Sequence, residues 1–142
     1  MKIIRKDKDM ELLKSYRKQV IGVKHYYKRA NILNSCQIKE LDYFINNILR
    51  YCKTSKRFKI NVRQKAKKDY YRSIRYNEPI NKNQLEHYRM IQKMLGHIRL
   101  SVYRDETFND DECKNGLYSL FRSVNVHIGA RKSEIEYRLK YE

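Results

Sequence analysis

The sequence predicts an all-α, single-domain bundle of five to six amphipathic helices. Three observations support this. One proline and four glycines punctuate 142 residues, too few for the turns of a β fold. Apolar residues recur at helical rather than alternating spacing through most of the chain. Five stretches also open on Asn or Ser followed three residues later by Gln or Glu, the pair in which each side chain satisfies the other's free backbone N–H.

The first helix is expected from about Lys8 to Ala30, with Leu12, Leu13, Tyr16, Val20, Val23, Tyr27 and Ala30 on one face and Lys14, Arg17, Lys18, Lys24 and Lys28 pointing elsewhere. The second opens on Asn34 and Gln37 and inclines Ile38, Leu41, Ile45, Ile48, Leu49 and Cys52 to the core. Lys53–Ile60 is expected to be a loop or one short strand, because Phe58 and Ile60 alternate with Lys59. Asn61 and Gln64 open a third helix with a narrow stripe of Val62, Ala66, Tyr70 and Ile74. Pro79 breaks the chain before Asn81 and Gln84 open a fourth, about Lys82 to Arg104, which aligns Leu85, Tyr88, Ile91, Leu95, Ile98 and Val102. Asn109 and Glu112 open a fifth, using Cys113, Leu117, Leu120, Phe121, Val124 and Ile128. Gly129 marks a break, and Ser133 with Glu136 opens a sixth. Residues 1–104 are thus expected to hold a four-helix core, and 105–142 an acidic turn plus C-terminal helices. A chain of this length buries roughly two-thirds of its unfolded surface without a disulfide or metal staple.

Charge points to a partner. The net charge of +17, from 33 basic and 16 acidic residues, exceeds what solubility needs and works against a compact state unless a polyanion answers it. The cations are concentrated in Lys53–Tyr76, where Lys53, Lys56, Arg57, Lys59, Arg63, Lys65, Lys67, Lys68, Arg72 and Arg75 face one acid, Asp69. Ten cations less one acid leave a local charge of +9. Tyr70, Tyr71 and Tyr76 stand among them. Lys and Arg neutralise phosphates and release counterions, and rings stack on unpaired bases. The candidate nucleic-acid-binding residues are therefore Lys53, Lys56, Arg57, Lys59, Arg63, Lys65, Lys67, Lys68, Tyr71, Arg72, Arg75 and Tyr76, extended by Arg131 and Lys132, with RNA favoured.

Other classes fit less well. No helix sets a large apolar face with Trp or Phe against a basic one, and no apolar run approaches a membrane span, so a membrane partner is not expected. Cys36, Cys52 and Cys113 are odd in number and form no CxxC pair, which suggests reduced thiols in a cytoplasm. His25, His87, His97 and His127 lack zinc spacing with them, and no glycine-rich phosphate loop is present, so neither metal nor cofactor is expected. Asp105, Glu106, Asp110, Asp111 and Glu112 put five of the 16 acids into eight residues, where they favour the start of the fifth helix. Phe108-Asn109-Asp110-Asp111 has the letters of a polymerase metal motif but lacks apolar strand flanks. Ile91–Arg104, with Gly96 as a turn, has the outline of a helix-turn-helix, although one unbroken helix accounts for Gln92, His97 and Asp105 better. Arg122 and His127 form an R-x4-H pair, the spacing found in the all-helical HEPN ribonucleases, which makes a metal-independent ribonuclease the enzymatic alternative to a non-enzymatic binding protein.

Parts of the chain resemble known families. Ser123, Val124, Asn125, His127, Ile128, Gly129, Lys132, Tyr137, Arg138, Leu139 and Lys140 match in spacing the C-terminal thumb of reverse transcriptases from diversity-generating retroelements, and Lys59–Asn77 is similar to the basic segment leading into that thumb. The likeness covers under a third of the chain and omits the palm with its metal-binding carboxylates. It implies a thumb-like grip on nucleic acid in a mobile-element setting, without polymerase chemistry. Asn83-Gln84-Leu85-Glu86 and Ile91–Gly96 resemble the last helix of the accessory variability determinants and ribosomal-RNA intervening-sequence proteins, small basic four-helix bundles. That likeness implies an accessory to a reverse transcriptase or other nucleic-acid enzyme, and a homo-oligomer. An adaptor or inhibitor docked on such an enzyme is the remaining alternative.

Overall fold

The apolar stripes become the inner faces of four helices in the computed structural model, which describes residues 2–54 and 80–141. These are α1 (Lys2–Arg29), α2 (Ser35–Thr54), α3 (Lys82–Arg104) and α4 (Asp111–Tyr141), with no strand among the described residues. The third expected helix lies outside them, as does the loop or strand before it except Lys53 and Thr54, which are helical and end α2. The count among the described residues is therefore four helices, not five or six.

Part of that difference has a physical cause at Gly129. The expected break there does not occur, and α4 runs unbroken for 31 residues. Gly129 lies inside the helix, where a Cβ would come 2.9 Å from Gln92 Nε2 on α3, the far end of a side chain that can swing aside. Ser133 and Glu136 consequently sit inside α4 and cap nothing. Gly116 is the glycine that packing requires, since a methyl there would collide with the Tyr51 hydroxyl and ring of α2.

Two of the predicted starts form as expected. Asn34 Oδ1 accepts from Gln37 N at 2.8 Å while Gln37 Oε1 accepts from Asn34 N at 2.9 Å. Asn81 and Gln84 exchange the same two bonds. The start of α4 is displaced by one residue: Asp110, not Asn109, accepts from Glu112 N. Asn109 N and Asp110 N instead donate to the two oxygens of Asp9, at 2.8 and 2.9 Å. That buried carboxylate pins the α3–α4 turn to α1. At the end of α1, Asn31 adopts φ 53°, a left-handed conformation that Asn tolerates better than most residues.

The helices pair in a ring. α1 lies between α2 and α3, and α4 closes the opposite side against the same two. Lys24 to Asn46 and Lys28 to Asp42 show α1 and α2 antiparallel; Tyr26 against His87 and Tyr16 with Ser101 show the same for α1 and α3. α2 and α3 are therefore parallel, and their starts meet where Gln37 Nε2 approaches Gln84 Oε1 at 3.4 Å. The connection from Thr54 to Ile80 consequently joins opposite ends of the bundle, about 30 Å apart for a 20-residue helix. At the centre, Tyr27, Tyr88, Phe121, Leu13, Ile45, Ile91 and Leu117 are fully buried.

Candidate nucleic-acid interface

Lys53 stands exposed in the last turn of α2. Lys56, Arg57, Lys59, Arg63, Lys65, Lys67, Lys68, Tyr71, Arg72, Arg75 and Tyr76 lie outside the described residues. Lys53 is thus the first residue of the basic segment and sits at the C-terminal end of α2.

Arg131 does not extend that surface. It is 7% exposed, and its Nε donates to both Glu40 oxygens at 2.8 and 3.0 Å while Nη2 donates to Glu40 Oε2 at 2.8 Å. Nη1 donates to Glu134 at 3.0 Å. A guanidinium held by two carboxylates of its own chain has little left for a phosphate. Burial pushes the Glu40 carboxyl up from its ordinary range, and the hydrogen bonds and charge of Arg131 pull it back. Lys132 is partly exposed. The Arg131–Glu40 contact places it about 20 Å along the axis from Lys53, thirteen residues of rise on α2.

Residues 37, 40, 44, 47 and 51 were the signal for this buried pair. Their spacing of three and four is helical, and Gln37, Glu40, Phe44, Asn47 and Tyr51 are all buried. Polar residues interleaved with Phe and Tyr on one helical arc mark an interior polar contact.

Several of the chemistry-bearing residues are engaged within the bundle. His127 stacks on Phe44, ring centroids 5.0 Å apart and planes 7° from parallel. Arg122 is exposed and, five residues earlier on the same helix, points about 140° away. Burial pushes the Cys52 thiol up to about 12 and the Cys113 thiol up to about 11, far from the thiolate a nucleophile requires. His87 is buried under Tyr26, 4.6 Å between rings. Burial lowers its pKa, opposed by a hydrogen bond to the Tyr27 backbone.

Of the acidic cluster, Asp111 and Glu112 occupy the first turn of α4, as the charge reading expects. Asp105 accepts from the Tyr16 hydroxyl at 2.6 Å. Among the described residues no group of three His, Cys, Asp or Glu side chains could hold a metal ion, and no helix is long and apolar enough to cross a membrane. Ile91–Arg104 lies within the unbroken α3, without a turn at Gly96.

The residues that resemble a reverse-transcriptase thumb lie on α4. Val124 and Ile128 are fully buried in the bundle, and His127 and Gly129 meet Phe44 and Gln92. Comparison with protein-family models, curated proteins and solved structures finds no match to this chain.

Proposed function

We propose that the protein binds RNA or single-stranded nucleic acid, without catalysing a reaction on it, through the basic segment Lys53–Tyr76. The observation behind this reading is the segment's own composition, ten cations and three tyrosines against one acid. Cations without acidic partners in the same stretch supply affinity through phosphate contacts, and Tyr71 and Tyr76 supply faces for bases. The bundle contributes anchorage, because Thr54 and Ile80 are held at its two ends. Arg131 is left out of the contact set for the reason given by Glu40; Lys132 remains in it.

A gel shift with labelled single-stranded RNA tests the proposal. Wild type is expected to bind at low salt, and the variant R63E/K67E/R75E to bind much more weakly with unchanged helicity by circular dichroism. Equal affinity of the two proteins overturns the reading. A reverse transcriptase as protein partner rests on the thumb likeness, and co-purification after nuclease treatment tests it.

A further inference from the structure

The outward face of α1 carries a row of charge that the basic segment does not include. Opposite the buried stripe of Leu13, Val20 and Tyr27, helical geometry places Lys14, Lys18, Gly22, His25 and Arg29, and all five are exposed. Lys14, Lys18 and Arg29 form no ion pair among the described residues. Lys24 and Lys28, nearer α2, behave differently: they bind Asn46 and Asp42. Glu11, at the row's N-terminal end, is the acid on this face among the residues whose side chains are described.

Gly22 sits in the middle of the row. Glycine in a helix interior is unfavourable and calls for a reason. Packing among the described residues provides none, because a Cβ on Gly22 would meet nothing of them within 4 Å, whereas one on Gly116 would collide with the Tyr51 hydroxyl. Lys14 and Lys18 lie on one side, His25 and Arg29 on the other, and the row rises about 22 Å. The antiparallel register set by Lys24–Asn46 and Lys28–Asp42 brings residues 17 and 18 beside Cys52 and Lys53, and the charge of Arg17 acts on Cys52. The row therefore borders the root of the basic segment.

We infer that this face of α1 is a second phosphate-contact surface for the same nucleic acid, whose backbone runs along Lys14, Lys18 and Arg29 and approaches the helix closely at Gly22. The inference rests on the proposed function. A polyanion is the fitting occupant because a second copy docked face to face would set these cations against one another. The row offers cations and a bare backbone, with His25 as its one ring, so it contacts phosphates rather than reading base sequence.

Fluorescence anisotropy with a labelled 30-nucleotide single-stranded RNA, titrated at several salt concentrations, tests this on the full chain. The variant K14E/K18E/R29E is expected to lose at least tenfold in affinity and to flatten the plot of log K against log salt by about 2, near 0.7 for each lost contact. The control K93E/R104E/R122E makes the same change in net charge at exposed sites on α3 and α4, and should lose clearly less. Gly22→Leu leaves charge untouched and is expected to weaken binding severalfold while helicity holds. Wild-type binding with equal losses for the α1 and control variants, or an unaffected Gly22→Leu, overturns the inference and leaves the proposed function standing. Absence of wild-type binding overturns both. A dimer in sedimentation that Gly22→Leu dissociates would assign the face to self-contact and also overturn it.

Discussion

Arg131 of α4 closes on Glu40 of α2 with both side chains more than nine-tenths buried. Such a pair repays its desolvation only while both partners are present. Arg131→Met should cost about 3–5 kcal/mol because it leaves a buried carboxylate unanswered. The double variant E40L/R131M should recover most of that loss, since an apolar pair of similar volume needs no compensation. Urea midpoints of the three proteins check this, and the double variant should bind RNA like wild type.

His87 makes stability depend on pH. Burial holds its pKa below the ordinary 6.5, so the unfolded chain takes up the proton more readily than the folded one. The contribution is complete above that ordinary value and declines as pH falls through it. Urea midpoints at pH 8 and pH 5.5 should differ in wild type, and differ less in His87→Gln.

The Tyr16 hydroxyl donates to Asp105 Oδ2 and stacks its ring on Phe108 at 6.1 Å. Burial pushes the Asp105 carboxyl up, but hydrogen bonds from Thr107 and Tyr16 together bring it below its ordinary value of 3.8. Stability from this group is present above that value and lost as pH falls through the lowered one. Tyr16→Phe should cost about 1 kcal/mol at pH 7 for a partly solvated bond. The difference from wild type should shrink on acidification below pH 4, read from thermal midpoints.

Two glycine substitutions should move stability in opposite directions. Gly22→Ala meets open space on an exposed helix and should stabilise by about 0.5–1 kcal/mol. Gly116→Ala would drive a methyl into the Tyr51 hydroxyl, which donates to the Cys113 carbonyl at 2.8 Å, and should destabilise by about 1–3 kcal/mol. Denaturant midpoints of the two single variants decide both.

Local physics was legible in the sequence, and distant pairing was not. The apolar stripes and the caps at Asn34 and Asn81 depend on residues three or four apart, so periodicity and cap chemistry suffice to place them. The start of α4 was misplaced by one residue because Asp9, 100 positions away, takes the Asn109 N–H. Gly129 suggested a break, but α4, packed along α3, carries it without interruption. Arg131 counted as a free cation because charge alone does not say that Glu40, 91 positions earlier, will face it. Of the candidate site, the density of cations was readable and the assignment of individual ones was not. The row of Lys14, Lys18 and Arg29 is placed with its N-terminal end beside Lys53 only once α1 and α2 are set antiparallel.

The most direct test of the account is the salt dependence of RNA binding by the wild-type protein. If about six cations meet phosphates, log K should fall against log salt with a slope near −4 for a single strand. Binding that is absent at low salt, or that persists unchanged as salt rises, would contradict it.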